Sequence, residues 1–135
     1  MELASIASGS SGNCIYIGNQ NSHFLVDAGI SRKRIVEGLA DMEIQPEEID
    51  GIFITHEHMD HISGLGVFLR KYPVPVYATG KTIDRILSTK ALGSLDQELF
   101  TSVSPDHPIE VDGIRVEGSS TWHDAADPVC YTFED

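Results

Sequence analysis

Three histidines and an aspartate fall within six consecutive residues, His56-Glu57-His58-Met59-Asp60-His61. Imidazole and carboxylate are ligands of zinc, iron and manganese, so this window is read as a metal site. In extended backbone, residues two apart face the same side, which lets His56 and His58 converge on one cation. Asp60 and His61 follow a turn; they are expected to diverge from that pair and reach a second cation, with the carboxylate making that position harder. Two cations about 3.5–4 Å apart can hold a hydroxide between them and clamp the oxygens of a substrate undergoing hydrolysis. Asp60 and His61 are therefore the candidate catalytic residues. The alternative is a polar loop of solvated histidines, which fits poorly with a position at the end of an apolar strand.

That strand is residues 51–54, Gly-Ile-Phe-Ile, short and apolar, so the ligands sit at its C-terminal exit. Behind the motif, Ile62, Leu65, Val67, Phe68 and Leu69 continue as a helix that Tyr72-Pro73 ends. Upstream, residues 2–7 and 14–17 read as antiparallel strands. They are joined by a loop of small polar residues, 8–13, too long for a minimal hairpin turn. A third strand at 23–26 runs into Asp27, which on its own reads as a turn residue. Ser31 can cap a helix reaching about Met42, with Ile35, Leu39 and Met42 at helical spacing. An acidic turn at 45–50 leads into the metal strand. Downstream the pattern predicts a strand at 74–78, on an edge or starting at a proline-tolerant position, and a helix at 82–92. A hairpin turning at Asp112-Gly113 and a last strand at 129–133 complete the chain.

The 135 residues, 41% hydrophobic and 7% aromatic, are enough for one domain with a real core. There is no apolar run of about 18 residues, and no basic stretch followed by an apolar one at the N-terminus, so neither a membrane span nor a secretory signal is supported. A cytoplasmic location is expected. Cys14 and Cys130 have no metal-knuckle spacing and are expected to be free thiols. The formal net charge of −12 argues against a broad basic face for nucleic acid. Bound divalent cations would reverse the field locally.

The order of these motifs resembles a known family. His56-x-His58-x-Asp60-His61 after an apolar strand, preceded by Phe24-Leu25-Val26-Asp27-Ala28-Gly29, resembles the metallo-β-lactamase superfamily of metal-dependent hydrolases. The opening Leu3-Ala4-Ser5-Ile6-Ala7-Ser8-Gly9-Ser10-Ser11-Gly12-Asn13-Cys14 and the late His123-Asp124-Ala125-Ala126-Asp127-Pro128 are similar to its YycJ-like branch. The resemblance implies an α/β fold, the four-layered αββα sandwich, of which this chain would be the N-terminal half. A bridging aspartate and a final histidine would lie beyond it.

By the same resemblance His123 completes the ligand set of His56 and His58. Read on its own, His123 at a strand's exit is more often a satisfied or exposed histidine than a ligand. Beside a two-histidine site that lacks a third protein ligand the balance tips, because three protein ligands plus water is the catalytic zinc arrangement. Asp27 is implied to support the histidine loop through hydrogen bonds without ligating. Asp124 could orient His123 or be an ordinary loop acid. Ser10, Ser11 and Asn13 are implied to contact a substrate phosphate, while their composition alone equally describes a surface loop. His23, His107 and Trp122 are read as structural, solvated or packing residues.

The activity implied is phosphodiester cleavage in nucleic acid, DNA in the first instance, using two divalent ions (Zn, Mn or Fe) in a complete domain. About one ion is expected in this chain, because fewer ligands remain for the second. A thioester or lactone hydrolase of the same fold is the alternative enzyme. A catalytically incomplete metal-binding fragment, acting only as an interaction module, is the alternative outside catalysis. Half a sandwich would also expose an apolar sheet face, so a homodimer or larger assembly packed through residues 51–54 is expected.

Overall fold

The computed structural model describes residues 1–121 and 125–135. Its first sheet starts as an antiparallel meander of β1 (Glu2–Ala7), β2 (Cys14–Gly18) and β3 (His23–Val26). It then continues in parallel through β4 (Gly51–Phe53), β5 (Val76–Ala78) and β6 (Phe100–Ser102), in spatial order β1 to β6. Parallel strands must be covered on both faces. On one face α1 (Arg32–Asp41), α3 (Leu65–Lys71) and α4 (Gly80–Leu87) bring Ile35, Leu39, Leu65, Phe68, Ile83 and Ile86 against Leu25, Ile52, Ile54 and Val76. Ser31 caps α1, its side chain accepting the Arg34 amide.

The second face is covered by a three-stranded sheet of β7 (Ile109–Val111), β8 (Ile114–Ser120) and β9 (Val129–Glu134). Because side chains alternate along a strand, Phe24 and Phe53 point this way and meet Ile114 and Val116, with Tyr131 and Phe133 packed alongside. Phe53 makes edge contacts to Tyr131 and Phe133 and stacks on Tyr77 at 4.8 Å. The β7–β8 turn has Asp112 at φ 51° and Gly113 at φ 80°, the paired left-handed residues that a tight hairpin demands.

The layers are therefore helix, sheet, sheet, and they correct the expected assembly surface. Gly51, Ile52, Phe53 and Ile54 are all buried within the chain itself. The outer face of the three-stranded sheet is not apolar, since it presents Arg115, Glu117, Cys130, Thr132 and Glu134, with Arg115 3.3 Å from Glu134. Among the described residues the exposed large apolar side chains are only Met1, Leu3, Met59 and Val67. Residues 51–54 consequently offer a second copy no surface to cover.

Other differences are local. The expected helix behind the motif is two, α2 (Met59–Ile62) and α3, because the Gly64 amide leaves the helical ladder to donate to the Ala28 carbonyl at 2.9 Å. β5 starts only after Pro75, and it lies inside the sheet between β4 and β6. The helix predicted for 82–92 begins at Gly80, ends at Leu87 and is followed by a separate 3-10 turn, Lys90–Leu92. β6 has no counterpart in the sequence pattern: Phe100-Thr101-Ser102 carries one large apolar side chain, and its place comes from pairing with β5.

Candidate metal centre

The histidine motif follows β4, and its neighbours are the two loops that also leave this end of the sheet, 8–13 and 27–31. Backbone hydrogen bonds lace the three together. The Asn13 amide donates to the Asp60 carbonyl (2.7 Å), Ala28 to His61 (2.8 Å) and Gly29 to Asn13 (2.8 Å). The approach is so close that a Cβ on Gly29 would lie 1.8 Å from the Asp60 carbonyl oxygen, and one on Gly64 1.7 Å from that of Ile30. Only glycine fits at such contacts.

Asp27 lies at the junction, 4% exposed and in the left-handed region at φ 67°, a conformation that Asp adopts more readily than most side chains. Its Oδ1 accepts the Thr55 amide at 2.8 Å, and Oδ2 accepts the Thr55 hydroxyl at 2.7 Å and meets His61 Nδ1 at 2.6 Å. Burial alone would lower the pKa of His61. The Asp27 hydrogen bond and the charges of Asp27 and Asp60 outweigh it, leaving the pKa above the ordinary histidine value. With Nδ1 engaged, Nε2 faces Asp60 Oδ2 at 3.5 Å.

His56 and His58 bring their rings together edge to face with centroids 4.7 Å apart, and the His58 amide reaches His56 Nδ1 at 3.4 Å. His61 does not diverge from this pair as the spacing suggested, since its ring lies 3.9 Å from that of His56. The cause is α2. Starting immediately after His58, it sends the His61 amide back to the His58 carbonyl at 2.8 Å and turns the ring inward. The gathered donors, imidazoles backed by a carboxylate with a second carboxylate beside them, have the chemistry of a zinc, iron or manganese site. No group of three such side chains with metal-holding geometry occurs among the described residues. His123, expected as the third ligand, and Asp124 lie outside the described residues, as does Trp122.

Of the loop residues expected at a phosphate, Ser10 and Ser11 are exposed at its tip. Asn13 departs from that expectation because its side chain is used internally. Oδ1 accepts the Gly9 amide at 3.1 Å, and Nδ2 donates to the Gly9 carbonyl at 2.9 Å and reaches Asp60 Oδ2 at 3.3 Å. Asn13 thus ties its loop to Asp60, and its donors are spent.

The sequence pattern missed three contributors. Thr55 couples the motif to Asp27. The Tyr131 hydroxyl donates to the Ile54 carbonyl at 2.8 Å, and burial pushes that phenol well above its usual pKa. Glu57, inside the motif, accepts the Ala126 amide at 3.0 Å. Only the adjacency of Thr55 and Glu57 to the ligands could have drawn attention to them. His23 and His107 are away from this cluster, the former bonded to Tyr16 and the latter exposed.

Residues 7–132 match the family described as the metallo-beta-lactamase superfamily. Exodeoxyribonuclease WalJ of Streptococcus pneumoniae is 41% identical over 128 residues, covering 95% of this chain and 48% of the relative. Exodeoxyribonuclease YycJ of Bacillus anthracis is 40% identical over 134 residues, covering 98% and 50%. The chain thus spans about half the length of the curated relatives it matches. In fold it is similar to the subclass B3 metallo-beta-lactamase MEM-A1 from a soil metagenome library (TM-score 0.77, 18% identity, 97% of this chain and 54% of that one). It is also similar to a B3 enzyme with an active-site glutamic acid (TM-score 0.79, 13% identity, 97% and 53%).

Proposed function

This chain belongs to the metallo-beta-lactamase superfamily, and from that membership we propose that it carries the metal-binding motif of a phosphodiesterase acting on DNA. The observation that supports the substrate most directly is identity of 40–41% along nearly the whole chain to two proteins named exodeoxyribonucleases. His56, His58 and His123 would hold one divalent cation, and Asp60 and His61 would contribute to a second. Bound there, such cations supply Lewis acidity toward phosphate oxygens and activate water.

What the chain's own residues contribute follows from the geometry. Asp27 holds His61 by Nδ1 and so presents Nε2 as the donor, fixing both tautomer and ring plane. Thr55 locks Asp27 in turn. Asn13 restrains the Asp60 carboxylate through the loop that also carries Ser10 and Ser11, whose exposed hydroxyls would meet the phosphate. A cytoplasmic location fits the two free cysteines.

The test is metal analysis of the purified chain together with a cleavage assay. About one divalent transition metal should be retained per chain at neutral pH. Shortening of end-labelled DNA by this chain alone is expected to be weak or absent, because the chain spans about half the length of its relatives. Whatever shortening occurs should require metal and be abolished by Asp60→Asn. Absence of bound metal in metal-replete buffer, or turnover of a thioester with DNA left intact, would overturn the reading.

A further inference from the structure

Glu57 stands between two proposed ligands, yet extended backbone sends it to the opposite side from His56 and His58. There its Oε2 accepts the Ala126 amide at 3.0 Å. Its other oxygen, Oε1, is buried and has no hydrogen-bond partner among the described residues. A buried carboxylate oxygen left unpaired is costly, and an apolar side chain of the same shape would remove the cost. Among the described residues the bond to Ala126 is the one use the structure offers for a carboxylate at this position.

Ala126 belongs to the loop between β8 and β9, on which the sequence places His123. The same loop is held from two further directions. The Val129 amide donates to the Thr55 carbonyl at 3.0 Å, and the Thr79 hydroxyl donates to the Asp127 carbonyl at 3.2 Å. Thr79 and Thr55 act at positions 127 and 129. Glu57 alone among these ties reaches back to position 126, three residues from His123, and it does so from within the histidine motif itself.

We infer that Glu57 is a positioning residue: by holding the Ala126 amide it sets the β8–β9 loop against the histidine loop, so that metal affinity depends on a side chain that is not itself a donor. The inference rests on the metal-centre reading above, and the following experiment separates the two.

Zinc affinity of the full chain is measured by competition with a chromophoric chelator, and exchange of the Ala126 amide by NMR, for wild type, Glu57→Leu and Glu57→Gln. Leucine keeps the bulk and removes the acceptor. Glutamine keeps an oxygen for the Ala126 amide. Glu57→Leu should weaken zinc binding by about 10–100-fold, as losing a support of a ligand does, and should speed exchange at Ala126, while Glu57→Gln restores both. Wild-type affinity and exchange in Glu57→Leu, or a Glu57→Gln as damaging as Glu57→Leu, would overturn the inference. Should wild type bind no zinc, the metal-centre reading fails, and the exchange rates still decide whether Glu57 holds the loop. Protection of the buried Cys14 thiol reports the fold of each variant. If Glu57→Leu loses that protection, Glu57→Asp, which withdraws the carboxylate by one methylene, takes its place under the same criteria.

Discussion

Strand β3 begins with His23 and runs out into Asp27, and each end carries an imidazole in a 2.6 Å contact: His23 Nδ1 with the Tyr16 hydroxyl, and His61 Nδ1 with Asp27 Oδ2. Bond length does not distinguish them; surroundings do. At the His23 end the partner is a neutral phenol on the adjacent antiparallel strand, with ring centroids 5.9 Å apart. Asp50 there is occupied by the His23 backbone amide at 2.9 Å. At the other end the partner is a carboxylate, a second imidazole lies 3.9 Å away and a further carboxylate 3.5 Å away. The contrast follows from strand direction. Loops leaving the carboxyl ends of adjacent parallel strands open onto a common crevice, so side chains distant in sequence gather there. At the opposite end of β3 the His23 ring meets the Tyr16 phenol and its backbone the Asp50 carboxylate, with no second imidazole beside it among the described residues.

The largest expected effect measures how closed the metal end is. Cys14, the first residue of β2 after the 8–13 loop, is 0% exposed in the main core, and burial, helped by the charge of Asp27, raises its pKa from 9.0 to about 12. Cys130 is exposed on the outer sheet. At pH 8 the native protein should alkylate at Cys130 at least about a thousandfold faster than at Cys14, because the thiolate is the reactive form. Mass spectrometry of the labelled protein reads the ratio. The sign for stability follows: an unfolded chain releases the Cys14 proton above pH 9.0 while the folded one keeps it to about 12, so stability is lost as pH rises through that window. Equal labelling would mean the loops do not seal this end.

Next in size is Gly29→Ala, whose Cβ would need space held by the Asp60 carbonyl, 1.8 Å away. It should cost about 3 kcal/mol in urea unfolding, at the upper end of overpacking, and should weaken metal binding with it. Unchanged stability would show that the three loops can part freely.

The remaining pair of variants addresses the two imidazoles directly. Asp27→Asn keeps a residue that tolerates the φ of 67° and removes the charge behind His61. It should lower zinc affinity by about 10–100-fold, measurable by chelator competition. Tyr16→Phe deletes the partner of His23 and should cost roughly 1 kcal/mol of stability, the net worth of a hydrogen bond, with zinc affinity unchanged. Equal effects of the two on zinc would dissolve the distinction between the ends.

Much of this was legible without coordinates. Ligand-type residues crowded into six positions after an apolar strand point to a metal because spacing along an extended chain is enough to aim two imidazoles one way. Most strands, the Ser31-capped helix and the Asp112-Gly113 turn follow from local periodicity and turn chemistry, which neighbouring residues set. What local pattern could not supply is whatever depends on contacts between distant segments. β6 exists because β5 pairs with it, not because Phe100-Thr101-Ser102 is markedly strand-like. The helix break at Gly64 is made by the Ala28 carbonyl, 36 positions earlier in the chain. Asn13 turns from a candidate phosphate contact into a tie on Asp60 because the 8–13 loop closes over the motif, and the Nδ1 of His61 is taken by Asp27, 34 positions earlier in the chain. The sheet face expected to be exposed is covered, because β7 to β9 fold back onto Phe24 and Phe53. Residue types and their spacing determine which chemistry is available. Only the packing of distant loops decides which atoms remain available for it, since a hydrogen bond spent between segments is invisible in either segment alone.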